Sequence, residues 1–96
     1  MTDRATGQTQ TTGRILWVGA AVDIGVASAR YRMIHPAAML QKMGWVCDLT
    51  DKPERYLTKI ASYTAIVIVK RLDPAMIRLV SEANDCGVPV LLDLCD

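Results

Sequence analysis

The sequence predicts an α/β fold: a Rossmann-like parallel sheet of about four strands with helices on both faces. Three observations carry this. Short apolar runs alternate with helical segments from residue 15 onward, and the joints between them are short. The runs are also apolar without period-two alternation, which is the habit of strands covered on both faces.

The elements follow in order. Residues 1–14 are rich in Thr, Gln and Gly with almost nothing apolar, and read as a disordered leader ahead of a single α/β domain over 15–96. Ile15 to Val18 is the first strand, ending at Gly19. Ser28 to Met43 is the first helix, with Met33, Ala37, Leu40 and Gly44 as its stripe. Pro36 inside it either kinks the helix or marks its true start after a looser turn. Trp45 to Leu49 is a second, weaker strand, and Pro53 to Ser62 a short helix. Ala65 to Val69 is the clearest strand: five apolar residues, mostly β-branched. The last helix, Pro74 to Cys86, is the best marked. Asp73 suits its N-cap, Pro74 its first turn and Gly87 its left-handed end, with Met76, Ile77, Val80 and Ala83 as the buried stripe. Val88 to Leu92 is the fourth strand. With the strands in the order 3-2-1-4 it is an apolar edge without a lysine guard, so self-association through that open edge is expected. The stop at Asp96, just past this strand, suggests a piece of something larger.

Composition excludes several functions. Hydrophobic residues at 51% and a mean hydropathy of +0.19 support a core, and a net charge of +1 gives no long-range field for nucleic acid. No apolar run approaches the roughly 18–20 residues of a transmembrane segment. Cys47, Cys86 and Cys95 are odd in number without C-x-x-C spacing, which fits reduced thiols in a cytoplasmic protein. With His35 as the lone histidine, no metal site or cofactor is expected.

The candidate chemistry gathers after the first strand, where α/β folds place ligand loops. The loop from Gly19 to Gly25 matches neither dinucleotide nor P-loop spacing, and reads equally as a plain connector. Arg30 and Arg32 open the helix, where amides and guanidinium groups can hold a phosphate or carboxylate. Two residues apart, they cannot share one helical face; a solvated surface is the other reading. Asp23, Asp93 and Asp96 are expected at the carboxyl edge between strands one and four. His35 is a candidate base, though a lone helical histidine is more often structural. A response-regulator receiver shares this topology, but its phosphoacceptor position, after strand three, reads Val69-Lys70-Arg71.

Ala27-Ser28-Ala29-Arg30-Tyr31-Arg32, with Pro36-Ala37 and Leu40 through Gly44, resembles the first helix of bacterial GT-B-fold glycosyltransferases of the group 1, family 4-like kind. Ala65 through Arg71 followed by Asp73-Pro74-Ala75 is similar to their third strand and next helix, and Gly87 through Asp93 to their fourth strand. The likeness covers about Arg14 to Asp96. It implies an incomplete, truncated GT-B N-terminal domain: the acceptor-side portion of an enzyme moving a sugar from a nucleotide-sugar donor to an acceptor, without a metal and inactive alone. It implies that Gly19, Gly25, Arg30, Arg32, Arg71 and Asp93 line the cleft, while the donor is held by a second half that this sequence does not contain. A non-enzymatic α/β binding or interaction module, or a degenerate receiver-like domain, remains the alternative.

Overall fold

The computed structural model describes residues 13–23, 25–71 and 73–93, with Ser28 by its backbone alone. Four parallel strands, β1 (Gly13–Val18), β2 (Trp45–Thr50), β3 (Ala65–Val69) and β4 (Val90–Asp93), form one sheet in the order β2-β1-β3-β4. Helices cover both faces, so the expected class holds, but the expected order 3-2-1-4 does not. β3 lies against β1, with Ile15 opposite Ala65 and Val18 opposite Ile68. The reason is in the burial. Ile15 through Val18 and Ile66 and Ile68 are buried, as interior strands require. β2 carries Asp48 in its middle and is largely half-buried, which suits an edge. β1 also starts earlier than composition suggests: Gly13 and Arg14 pair with Trp45 and Val46. The remainder of the expected leader, 1–12, lies outside the described residues.

The chain winds outward from β1 to β2, then crosses back over β1 to β3, so the first helix falls on one face and the two later helices on the other. On one face Leu16, Val18, Ile66 and Ile68 pack with Ile60 of the 3-10 helix Pro53–Ser62 and with Met76, Leu79 and Ala83 of the last helix, Pro74–Cys86. On the other, Ile15, Trp17, Cys47 and Val69 pack with Met33 and Ala37 of the first helix.

That first helix is continuous over 27–42 but changes its winding. It is α-helical over Ala27–Ala29, widens to a π turn over Arg30–Ile34, and returns to α over His35–Lys42. The His35 N–H donates to the Arg30 carbonyl five residues back. The wide turn delivers the chain to Pro36, which has no N–H and crowds the carbonyl four residues earlier, without breaking the helix. The last helix forms as its sequence signals demand. The Asp73 side chain accepts from the Met76 N–H at 3.1 Å, and Gly87 ends the helix at φ 72°. Val88 N–H then reaches the Ala83 carbonyl at 2.9 Å, a Schellman closure. One expected core residue is misplaced: Ile77 is 69% exposed and Leu79, fully buried, takes its place.

Two buried polar groups mark the sheet. The Tyr63 hydroxyl donates to Asp48 Oδ2 at 2.6 Å, and Arg14 Nε reaches the same oxygen at 3.4 Å. Burial, then the Asp48 hydrogen bond and charge, push the Tyr63 phenol well above its ordinary value. The Trp17 indole N–H, by contrast, is buried with no partner among the described residues. No helix among the described residues is long and apolar enough to cross a membrane.

Candidate functional site: the crevice between β1 and β3

Where the winding direction reverses, at the carboxyl ends of β1 and β3, an α/β sheet leaves a crevice because the flanking connections depart to opposite faces. In this chain the crevice is a cavity of about 240 Å³. Gly19, Ala20 and Ala21 form one wall, Val26, Ala29 and Met33 of the helix start a second, and Val69 with Lys70 the third.

Local chemistry explains each wall. The Gly19 N–H donates to the Thr50 carbonyl at 3.1 Å, extending β1 beside β2 by one residue. A Cβ at Gly19 would sit 2.5 Å from Met33 Sδ, so glycine is what lets the helix approach the strand end. Asp23 shapes the outer loop: its Oδ1 accepts from the Gly25 N–H and its carbonyl from the Val26 N–H, both at 2.9 Å. Val26 is extended and the helix starts without a side-chain cap. Lys70 ends β3 at φ 51°, in the left-handed region, with its N–H on the Asp93 carbonyl at 2.6 Å. A non-glycine residue there costs on the order of 1–3 kcal/mol and persists only where its surroundings hold it, as at ligand sites.

The six residues expected at the cleft separate. Gly19 is a wall of the cavity; Gly25 sits in the Asp23 turn outside it. Arg30 and Arg32 diverge, as their spacing requires. The Arg30 guanidinium lies 4.6 Å from the Tyr31 ring, while Arg32 Nη1 donates to both carboxylate oxygens of Asp93 at 2.9 Å. Asp93 therefore ties β4 to the first helix across the sheet face. It is not beside β1, because β3 intervenes. Asp96 lies outside the described residues. Arg71 braces the site from behind: Nη1 donates to the Gly19 carbonyl at 3.0 Å and the Asp51 carbonyl at 2.7 Å, and Nε to Asp73 Oδ2 at 2.6 Å. The Arg71 hydrogen bond holds the Asp73 carboxyl below its ordinary value. His35 is exposed, edge-on to Tyr31 at 5.7 Å, on the outer side of the helix and away from the cavity.

Sequence reasoning missed Lys70 as a wall residue and chose its neighbour Arg71. The only available signal was its position at a strand's carboxyl end; its left-handed backbone leaves no trace in composition. Ala21, Ala29 and Val69 carried no signal, being small or apolar residues whose role is to leave space. Chemically, the crevice offers apolar side walls, the main chain of the loop at Ala20 and Ala21, and one lysine at its rim. That suits a small ligand with an apolar face and a hydroxyl or anionic group. Among the described residues no cluster of three or more His, Cys, Asp or Glu side chains is placed to hold a metal ion.

Compared with known proteins, the chain matches no protein-family model, no curated protein and no solved structure.

Proposed function

We propose that the β1/β3 crevice binds a sugar acceptor, and that the chain is the acceptor-side portion of a cytoplasmic glycosyltransferase using a nucleotide-sugar donor. The observation that carries a ligand role is the cavity at the winding reversal, bordered by a lysine held in the left-handed conformation. The sugar chemistry rests on the resemblance of the first helix, β3 and β4 to GT-B enzymes. Apolar walls suit the flat face of a pyranose ring, and the loop's main-chain groups and Lys70 suit its hydroxyls or a phosphate on it. Transfer requires a second wall that orients the donor against the acceptor; the described residues form a single sheet. The 96-residue chain alone is therefore expected neither to transfer nor to hydrolyse nucleotide sugars.

One observation favours the second reading, a non-enzymatic binding module. The order β2-β1-β3-β4 is that of flavodoxin-like domains rather than the order expected of the transferase half. It is also the receiver order, yet Lys70 stands where a receiver carries its phosphoacceptor, so a phosphorelay role has no acceptor here.

Amide NMR titration decides. Glucose, N-acetylglucosamine, glucose 1-phosphate and UDP-glucose are added separately to the labelled chain. A sugar or sugar phosphate is expected to shift Gly19, Ala21 and Lys70, and Ala21→Phe, which fills the crevice mouth, to abolish the shifts with the fold intact. Shifts only with UDP-glucose, or none at these positions, sink the acceptor reading. Turnover by the isolated chain that Ala21→Phe abolishes would overturn the dependence on a second half.

A further inference from the structure

At the other end of the sheet from β2, β4 pairs with no further strand among the described residues, and its Leu91 and Leu92 side chains are exposed. Ile66 N–H donates to the Pro89 carbonyl at 3.0 Å and Lys70 N–H to the Asp93 carbonyl at 2.6 Å. Strand groups alternate in direction, so Pro89, Leu91 and Asp93 address β3 while Val90 and Leu92 turn their main-chain groups outward. On one face, Val90 and Leu92 border a groove of about 620 Å³ against the last helix, with Ile77 and Val80 opposite and Ser81 and Asn84 as its polar side chains. On the other face stands Leu91, 59% exposed. An apolar edge of this kind is a pairing template.

We propose that a second copy of this chain covers that edge, with β4 pairing antiparallel to β4 about a twofold axis through Leu91. The symmetry fits what the edge offers. With Leu91 opposite the second copy's Leu91, Val90 faces Leu92 and Leu92 faces Val90. The outward groups of both residues are then satisfied by about four hydrogen bonds. The two Leu91 side chains meet as a close non-hydrogen-bonded pair on one face. On the other, the two last helices come together over Val90 and Leu92, bringing the exposed Ile77 of each copy toward the axis.

Charge argues for a copy rather than a foreign strand. A twofold interface sets a patch against itself, so any charge within it confronts its own sign. The groove lining contains no charged residue, and Asp93 falls opposite Pro89 rather than another carboxylate. This proposal is independent of the ligand reading, since the crevice and the edge share no wall except through β3.

Sedimentation equilibrium on the purified chain between about 1 and 100 μM is the test, because standard-size interfaces of modest quality populate dimers in this range. A mass of twice 10.6 kDa is expected at the upper end. Leu91→Lys and Leu91→Glu each place like charges across the axis and are expected to raise the dissociation constant at least about tenfold. Mixed together, the two variants are expected to restore the dimer, a result that only self-pairing through Leu91 produces. Because Leu91 is exposed, circular dichroism of each variant should match the parent. A monomeric parent at 100 μM overturns the proposal and points to a foreign partner or a following strand of a longer polypeptide. Association indifferent to both substitutions, or a mixture that stays monomeric, overturns it equally.

Discussion

The two faces of this sheet are built to different standards. On the face covered by the 3-10 and last helices, Leu16, Val18, Ile66, Ile68, Met76, Leu79 and Ala83 are buried, and Asp73, Gly87 and the Schellman closure satisfy both helix ends. On the face under the first helix, irregularities accumulate. The helix starts without a side-chain cap and widens into a π turn, Gly19 is needed for clearance from Met33, the Trp17 N–H has no partner among the described residues, and the cavity opens beside left-handed Lys70. Sequences that specify one fold keep their local signals consistent, and departures concentrate where function is selected. On this pattern the regular face supplies most of the stability, and the irregular face holds the crevice.

If so, single substitutions on the two faces should cost unequally. The largest effect is expected on the regular face: Leu79→Ala leaves a cavity under the last helix and should cost about 3–4 kcal/mol, read from urea denaturation. Gly19→Ala, on the other face, should cost about 1–2 kcal/mol, because the flexible Met33 side chain absorbs part of the clash. Combined with Met33→Ala it should cost less than the sum of the two, since the residues share the space. If Gly19→Ala rivals Leu79→Ala, the site face is as tightly specified as the other and the contrast fails.

Trp17→Phe probes the irregular face directly. Replacement loses apolar area, which destabilises, but also removes a buried donor that has no partner among the described residues and costs about 1–3 kcal/mol. The two should nearly cancel, leaving a change within about 1 kcal/mol. A loss as large as that of a tightly packed aromatic, about 3 kcal/mol or more, would mean that the indole N–H is satisfied.

What could be read in the sequence divides along the same line. The regular face was legible because its signals are local: Asp73-Pro74, Gly87 and the β-branched run Ala65 to Val69 each determine their own neighbourhood. Strand order was not. Apolar runs without alternation carry no information about which neighbour they pair with, and only Asp48 hinted that β2 is an edge. Ile77 was misjudged because helical periodicity tolerates a residue on either border of the stripe, and the border it occupies faces the open β4 groove. At the site, residue types suggested arginines, whereas the fold spends Arg32 on Asp93 and Arg71 on main-chain carbonyls. Lys70 emerged only from backbone geometry.

Thiol chemistry gives a smaller, kinetic contrast. Cys47 is buried under the first helix and Cys86 is exposed at the end of the last one. Cys95, the thiol expected to react early, lies outside the described residues. An alkylating reagent under native conditions should label Cys86 well before Cys47, since burial limits both access and thiolate formation. Comparable rates, measured by mass spectrometry of peptides, would mean that the first helix opens readily.

The smallest effects are those of pH, and they too should divide. Tyr63 has its phenol raised, so folding favours the protonated form. Its contribution is complete below the ordinary tyrosine value of 10.0 and is lost as pH rises beyond it. Tyr63→Phe should flatten that alkaline limb. Asp73 is the opposite case. Its carboxyl is held below the ordinary 3.8, first by the Arg71 hydrogen bond, so the folded state favours the ionised form. The contribution is present above that value and disappears as pH falls from it toward the lowered one. Because the side chain is solvent-accessible, screening keeps the effect small. Asp73→Asn isolates it: asparagine caps a helix about as well as aspartate, so stability near pH 7 should change little. The acid limb should flatten below about pH 4, where carboxylates titrate. An unchanged acid limb would show that the Arg71–Asp73 contact contributes nothing electrostatic. A large loss at pH 7 would show instead that Arg71 needs this carboxylate to brace Gly19 and Asp51, which would make the last helix's cap part of the crevice.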